Sequence, residues 1–250
     1  MQSDVTVVNI AVRVGPSDMS HMSSDNDGPD RRKPYHHGAL HSALVDASIA
    51  LAREGGPDRV ILREAARAAG VSHSAAYRHF ADRHALLAEV SRFARHELAA
   101  QMRRRVNRTK DPRQRLQAVG MAYVDFALSQ PGLFRTAFTS HPATSDADGH
   151  DLPDGPESRS PTESADPYEI LGHVLDEAQD AGLLHPNRRP GAEIAAWSAI
   201  HGLASLLLDG PLPTTAAGIQ FALSQVMELI ERGLLNGRQK LESSSRPVDN

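Results

Sequence analysis

The residues best suited to chemistry lie close together in the segment His73–Arg78. The segment carries an imidazole, a hydroxyl, a phenol and a guanidinium, each of which can donate a hydrogen bond. If the segment is helical, Ala76 and Phe80 are four residues apart and share one face. We predict that this face points inward, and that the outward residues are His73, Ser74, Ala75, Tyr77 and Arg78. Such a mixture of donors and small residues fits the major groove of DNA.

The turn before this segment indicates the motif that would present it. Ala69-Gly70-Val71-Ser72 joins two short stretches whose apolar residues recur at helical spacing. Gly70 can adopt the left-handed conformation of a tight interhelical turn, and Val71 can fill the angle between the helices. The Ser72 hydroxyl can accept hydrogen bonds from first-turn amides of the second helix. The pattern predicts a helix-turn-helix.

The charge of the chain is unevenly distributed. From Arg31 to Lys110 there are 16 lysines and arginines against seven aspartates and glutamates, a net charge of +9, although the whole chain carries -4. The segment before it carries -4 and the segment after it carries -9. A basic block favours a polyanionic partner. Charge alone leaves open a basic helix surface that only contacts solvent.

Helical spacing of apolar residues continues along most of the chain. Leu40, Leu44, Ala47 and Leu51 form one stripe, which Gly55-Gly56-Pro57 ends. The second helix of the motif is predicted to end at Phe80, and Asp82 is predicted to cap a longer helix that buries Leu86, Val90 and Phe93. Further helices are predicted near 112–129, 131–139, 168–182, 191–209 and 215–235. The fold class is therefore predicted to be all-α.

Composition divides the chain into four predicted parts. These are a disordered tail at 1–33, a helix-turn-helix DNA-binding domain at 34–95, a helical regulatory and dimerisation domain at 96–239, and a disordered tail at 240–250. A flexible loop is expected near 140–167, which is dense in Asp, Pro, Ser, Thr and Gly. Val5–Val14 has the only strand-like pattern, and translation from Met19 or Met22 would leave it untranslated.

Several motifs follow one another between residues 35 and 93 and resemble a known family. They are Tyr35-His36-His37-Gly38, Leu62-Arg63-Glu64-Ala65-Ala66, Ala69-Gly70-Val71-Ser72, Tyr77-Arg78-His79-Phe80 and Leu86-Leu87. Together they resemble the N-terminal domain of tetracycline-repressor (TetR) family regulators. The segment Trp197–Leu203 is similar to the W-x(3)-H-G motif of one subgroup of that family. The resemblance implies a DNA-binding regulator, with repression of transcription as the default activity.

The resemblance also assigns residues to DNA contacts. It implies phosphate contacts for Tyr77, His79 and Arg83, and an anionic oxygen near the helix N-terminus at Ser72. His36, His37 and Gly38 would approach the flanking backbone. Phosphate contacts position a protein on DNA but do not specify sequence. Base reading is therefore expected from His73, Ser74, Ala75 and Arg78, with Arg78 the best candidate for a guanine.

The sequence departs from the family pattern at three places. Ile61 stands where a Ser or Thr usually caps the second helix, which leaves only Glu64 to interact with that helix N-terminus. His84 replaces an acidic residue at the start of the fourth helix. The loop near 140–167 is longer than in most relatives.

The second half of the chain is expected to dimerise and to hold a ligand. The predicted helices Ala192–Asp209 and Thr215–Glu231 carry apolar residues at helical spacing, namely Ile194, Trp197, Ile200, Leu203, Leu207, Phe221, Val226 and Leu229. In TetR relatives the last two helices pair with their two-fold mates, so a homodimer on a palindromic DNA operator is expected. Candidate pocket residues for a small-molecule inducer are Tyr123, Phe126, Phe134, Phe138, Leu171, Trp197 and His201. Each of them could equally be an ordinary core residue.

Other functional classes find little support in the sequence. The chain has no cysteine and lacks the G-x-S-x-G, G-x(4)-G-K-[ST] and H-E-x-x-H motifs, so no catalytic residue or cofactor is predicted. His37 and His41 are four apart, but no acidic cluster supports a metal site. No apolar run reaches the roughly 18 residues of a membrane span, and a cytoplasmic protein is expected. A helical interaction module without a DNA role would explain the second half but not the basic block.

Overall fold

The computed structural model of the protein describes residues 36–139 and 166–235. The chain divides into two units, Met1–His36 and His37–Asn250, and all described residues except His36 belong to the second. The predictions of two disordered tails and of a strand-like Val5–Val14 lie outside the described residues, and so does the flexible loop predicted near 140–167, except for Asp166 and Pro167, which begin a helix.

The first four helices comprise the two helices joined by the turn at Gly70 and the longer helices before and after them. They are α1 (His36–Gly55), α2 (Leu62–Ala68), α3 (His73–Tyr77) and α4 (Arg83–Val106), with a short 3₁₀ turn at Pro57–Arg59. Asp82 caps α4 as predicted, because its carboxylate accepts from the Ala85 amide at 2.8 Å. Ile61 precedes α2 and, as expected, provides no side-chain cap.

Five helices make up the rest of the described chain. They are α5 (Pro112–Ser129), α6 (Pro131–Ala137), α7 (Pro167–Asp180), α8 (Ala192–Asp209) and α9 (Ala216–Leu234). Three of them begin with proline, whose missing N–H would be unpaired at a helix start in any case. Asp111, Asp166 and Thr215 cap α5, α7 and α9 by accepting from first-turn amides.

Helix α4 is shared by both predicted domains. It packs against α5, α6 and α7, and its Leu98 and Met102 are fully buried. The domain boundary predicted at residue 95 therefore lies within one continuous helix. The buried residues on both sides of this boundary belong to one hydrophobic core.

Helix α6 approaches the end of α1 unusually closely. A Cβ atom placed on Gly132 would lie 2.0 Å from the Ala52 carbonyl oxygen, so only glycine fits at this contact. The other side of α6 is tied to α4, because the buried Ser91 hydroxyl donates to the Ala137 carbonyl at 3.0 Å. Helix α6 therefore contacts both α1 and α4.

The described residues confirm the all-α prediction, but the predicted end of helix α3 is wrong. Helices dominate residues 36–139 and 166–235, with a single isolated bridge between Leu184 and Leu235. Helix α3 ends at Tyr77 rather than Phe80, because the amides of Arg78 and His79 bond three residues back and form a turn. No helix in these two ranges has the length and apolarity to cross a membrane.

Candidate nucleic-acid interface

Helix α3 presents most of the predicted residues on its outer side. His73, Ser74, Tyr77 and Arg78 are exposed, and Tyr77 keeps 50% of its surface accessible. Ala76 is fully buried, as predicted. The prediction that Ala75 points outward is wrong, because both alanines of this five-residue helix lie on the side that packs against α2 and Ala75 is 8% exposed.

The outward residues are ordered by contacts within the motif. The Ser72 hydroxyl accepts from the Ala75 amide at 3.2 Å and lies 3.2 Å from the Ser74 hydroxyl. The His73 and Tyr77 rings, four residues apart, meet edge to face with centroids 4.7 Å apart. These contacts fix the directions of the donors before any ligand binds, which lowers the entropy cost of recognition.

Gly70 supplies the tight turn predicted for it. Its φ angle is +69°, in the region that L-residues with a side chain rarely adopt. A Cβ atom at this position would meet no other atom within 4 Å, so the requirement for glycine comes from the backbone alone.

Phe80 anchors the end of the motif on α1. Its side chain is 3% exposed, and the His41 ring stacks on it at 4.7 Å between centroids. The same His41 ring meets His79 edge-on at 6.3 Å. His79, predicted to contact phosphate, is therefore partly buried beside an aromatic anchor rather than fully extended into solvent.

Arg83 already has partners within the chain. Its guanidinium donates to the carbonyl oxygens of Val60 at 2.8 Å and Pro57 at 2.6 Å, and lies 4.0 Å from the Asp58 carboxylate. These bonds join the start of α4 to the 3₁₀ turn. The predicted phosphate ligand thus also has a structural role.

The remaining predicted contact residues lie at the margin of the described chain. His36 and His37 occupy the first turn of α1, and their side chains fall outside the described part. Gly38 is exposed in the same turn. His84, at the start of α4, is exposed with its Nδ1 4.0 Å from the Asp82 carboxylate.

A second candidate site is an aromatic cluster in the other half of the chain. Tyr123 is fully buried, and its ring lies 5.5 Å from that of Phe134, 6.0 Å from Phe138 and 5.0 Å from Trp197. His201 stacks on Phe134 at 5.5 Å. Five of the seven predicted pocket residues therefore meet in one cluster.

Two polar atoms of this cluster are hydrogen-bonded to each other. The Tyr123 hydroxyl and the His201 Nδ1 atom are 2.7 Å apart, a hydrogen bond. Burial raises the pKa of the Tyr123 phenol. Burial also lowers the pKa of His201, so the pair is neutral at pH 7.

A small, partly open cavity of about 20 Å³ lies beside Tyr123. Tyr123 and Trp197 line it together with one further predicted residue, Leu171, whereas Phe126 is buried but is not one of its described walls. Sequence analysis missed the other walls, which are Met102, Leu116, Val119, Gly120, Ala196, Ile200, Met227 and Ile230. No motif marks them, because their aliphatic side chains cannot be distinguished from those of any core.

Helices α8 and α9 expose large apolar side chains. Ile194, Leu206, Phe221 and Leu229 retain between 48% and 67% of their accessible surface. Other members of the predicted dimer set are buried or partly buried against their own chain, namely Trp197, Ile200, Leu203, Leu207 and Val226. The sequence analysis did not include Leu206 in the predicted dimer set.

The described residues hold no metal-binding cluster of three or more histidine or acidic side chains. A short, capped helix that follows a glycine turn and carries exposed donors defines a helix-turn-helix protein. The second half of the described chain is also helical and holds the buried aromatic cluster around Tyr123.

Comparison with known families agrees with this class. The sequence model for bacterial regulatory proteins of the tetR family matches residues 44–90. The model for the tetracyclin repressor-like C-terminal domain matches residues 116–229. The chain belongs to the TetR family and is a DNA-binding transcription regulator, not an enzyme.

Solved structures share the fold. A protein of unknown function from Rhodococcus sp. RHA1 is 29% identical, with a TM-score of 0.62 over 82% of this chain and 100% of that one. A TetR family transcription regulator from Marinobacter aquaeolei VT8 is 22% identical, with a TM-score of 0.53 over 80% and 97%. RolR, solved with its ligand resorcinol, is 15% identical, with a TM-score of 0.54 over 77% and 87%. The search of curated proteins gives no match.

Proposed function

We propose that this regulator is a ligand-responsive repressor that binds a palindromic operator as a homodimer and is released by a small-molecule inducer. The observation that carries the proposal is the row of exposed donors on α3, held above the buried Ala76 and Phe80. The net charge of +9 between Arg31 and Lys110 supports a polyanionic partner. Such a repressor acts in the cytoplasm, where the bacterial chromosome lies.

Base reading is assigned to the outer side of α3. The Arg78 guanidinium can donate two hydrogen bonds to one guanine, and the side chains of His73 and Ser74 add further donors. Ala75 is the weakest of the four candidates, because it lies largely beneath these donors. A five-residue helix reads few bases, so two copies about one helical turn apart are needed for a specific site.

Phosphate contacts are assigned to the residues around the ends of α3. Tyr77 and His79 flank the base readers, and the helix N-terminus at Ser72 attracts an anionic oxygen. Arg83 has five N–H groups, of which two donate to the carbonyls of Val60 and Pro57, and the others can donate to a phosphate. His36, His37 and Gly38 are proposed to approach the backbone that flanks the site.

The homodimer is assigned to the exposed apolar side of α8 and α9. Apolar surface of this size on two adjacent helices is favourable to bury against a second copy. The substitutions Phe221→Asp and Leu229→Asp together are expected to give monomers in sedimentation velocity. Ile61→Asp is the matched control, because Ile61 is an exposed apolar residue outside these helices. A double variant that sediments as the wild type would contradict this interface.

The ligand site is assigned to the region of Tyr123, where the aromatic cluster and the cavity meet. RolR, which has the same fold, binds resorcinol, and this supports a ligand role for the second half. Release from DNA requires that the ligand binds the two conformers of the regulator unequally. An inducer screen by operator release tests this part, and a regulator whose DNA affinity no bound ligand alters would contradict it.

The operator itself is the first object to determine. Selection of bound sequences from random double-stranded DNA should yield a palindrome whose half-sites are separated by about one helical turn. Recovery of unrelated sequences would contradict specific DNA reading. It would favour a helical interaction module, which the exposed face of α8 and α9 also fits.

A further inference from the structure

The small cavity beside Tyr123 has no charged side chain among its described walls that could pair with an ionic ligand. Its eleven described walls are aliphatic, thioether or aromatic, with Gly120 as the only other residue. Two of the walls carry a polar group: the Tyr123 hydroxyl, which is already hydrogen-bonded to His201, and the Trp197 indole N–H, which is an uncharged donor. A charged molecule in this cavity would lose its hydration without gaining an opposite charge.

Two methionines make the cavity adjustable. Met102 and Met227 stand among its walls, and unbranched thioether side chains adopt new rotamers more readily than branched ones. A Cβ atom on Gly120 would lie 2.6 Å from the Met227 sulfur, so the sulfur occupies space that the glycine leaves open. At about 20 Å³ the cavity holds about one water molecule, so a ring-sized ligand must displace one of these side chains.

Met227 is buried, but it also borders a groove at the surface. It lines a surface groove of about 360 Å³ between α5 and α9, together with Gln117, Met121, Gln220, Leu223, Ser224, Glu228 and Glu231. Met227 is the one described residue that borders both the groove and the cavity. Its side chain therefore separates the two spaces.

Flat rings form another part of the cavity wall. The Tyr123 and Trp197 rings meet nearly at right angles, with 76° between their planes. Aromatic rings in such a corner present faces and edges to which a third ring packs favourably. A planar apolar ligand therefore packs against these walls better than a globular one.

We propose that the cavity binds an uncharged molecule of single-ring aromatic size, which enters from the α5–α9 groove by displacing the side chain of Met227. The proposal names the chemical class of ligand for the ligand-responsive regulator proposed above and rests on that function for its effect on DNA. The ligand gains apolar contacts and edge contacts with Tyr123 and Trp197. The Tyr123–His201 hydrogen bond stays intact.

Methyl NMR on the full-length protein tests the ligand class. With ¹³C-labelled methionine methyls, toluene is expected to shift the Met102 and Met227 signals saturably. Benzoate and benzylammonium, of similar shape but charged, are expected to bind at least 100-fold more weakly. Charged analogues that bind as tightly as toluene would overturn the proposal. So would toluene shifts confined to Met121, which lines the groove only.

Variants of the two methionines test the route. Met227→Ala is expected to raise the association rate of toluene at least tenfold, whereas Met121→Ala should change it less than twofold. Met227→Leu is the second variant in case the alanine variant unfolds, since a volume-conserving exchange is tolerated best. Its branched side chain is expected to slow association several-fold. Association rates that Met227 substitutions leave unchanged would overturn the route.

A parallel DNA titration separates this proposal from the function on which it rests. If toluene shifts the cavity methyls but leaves operator affinity unchanged, the coupling of this cavity to operator release fails and the cavity assignment stands. If toluene produces no shift at Met102 or Met227, the cavity assignment fails and the DNA-binding function stands.

Discussion

The two candidate sites of this regulator are built in opposite ways. On α3 the proposed DNA contacts are exposed side chains, and the backbone around Gly70 and the Ser72 cap determines where they point. Around Tyr123 the proposed ligand contacts are buried side chains, and their mutual packing determines the space between them. Substitution of an exposed donor should therefore change function alone. Substitution in the buried region should change stability as well.

Helix α6 connects the two regions. Phe134 reaches the aromatic cluster through its stack on His201, and Gly132 lies against the Ala52 carbonyl at the end of α1. Helix α6 therefore contacts both the aromatic cluster and the end of α1, the helix whose His41 stacks on Phe80. Substitutions at this contact, on α3 and around Tyr123 test the difference between the exposed and the buried region.

The largest effect is expected for Gly132→Ala. The new Cβ atom would lie 2.0 Å from a backbone oxygen that cannot move independently, so the helices must separate. We expect a loss of about 3 kcal/mol or more in the free energy of unfolding, at or above the upper end for overpacking. Urea unfolding measures it. The control Gly233→Ala meets no atom within 4 Å and should be neutral or stabilising, by up to about 1 kcal/mol. Equal stability of the two variants would contradict the close contact.

Arg78→Ala should affect DNA binding without affecting stability. Loss of a base contact is expected to cost about 1–3 kcal/mol of binding free energy and to relax preference at one operator position. Tyr77→Ala should instead weaken binding to all sequences by a similar factor. Competition assays with single-mismatch operators measure both. Uniform weakening by Arg78→Ala would assign that residue to phosphate.

Gly70→Ala should strain the turn that positions α3. A side chain at φ +69° costs about 1–2 kcal/mol, and no steric contact adds to it. Gly70→Asn should lose less, since asparagine tolerates the left-handed region. Thermal unfolding of both variants distinguishes backbone strain from a packing defect, which would make the larger asparagine the worse one.

Changes to helix caps should have smaller effects on the free energy of unfolding, of opposite sign at α3 and α2. Ser72→Ala removes the bond to the Ala75 amide and should cost about 1 kcal/mol, whereas Ser74→Ala should change stability little. Ile61→Ser places a capping hydroxyl at the extended N-cap of α2, where none exists, and should gain up to about 1 kcal/mol. Identical unfolding midpoints for Ser72→Ala and the wild type would contradict the cap.

The smallest effect is a pH dependence from His201. Burial lowers its pKa in the folded state, so the unfolded chain binds a proton more readily once the pH falls below the unfolded value of about 6.5. Stability is therefore expected to decrease from pH 7 towards pH 5, and less so in His201→Gln. Unfolding at a series of pH values checks the difference between the two proteins. A His201→Gln variant with the same pH slope would exclude this source.

The sequence predicted the first region better than the second. Glycine, serine and aspartate at Gly70, Ser72 and Asp82 act locally, so their roles can be inferred from neighbours in the chain. Ala75 was misjudged because adjacent residues lie about 100° apart on a helix, so a buried face of ordinary width that includes Ala76 can include Ala75 as well.

The cavity could not be predicted in the same way. Gly120 and Met227 are 107 positions apart, and only tertiary packing brings the sulfur into the space beside the glycine. The close approach of Gly132 to Ala52 is also a long-range contact that no local pattern encodes. Arg83 was expected to contact phosphate, and its bonds to two carbonyls depend on where the 3₁₀ turn folds back.

The most direct test of the account is a fluorescence-anisotropy titration of the full-length protein against its selected operator at 50 and 200 mM salt. We predict two protomers per operator and an affinity that falls about 10³-fold or more between the two salt concentrations, as expected for six or more phosphate contacts. Arg78→Ala should bind the operator about 1–3 kcal/mol more weakly than the wild type, yet still better than a scrambled duplex of the same length. Binding that is equally weak on both duplexes for the wild-type protein, or unaffected by salt, would contradict the claim that α3 reads DNA.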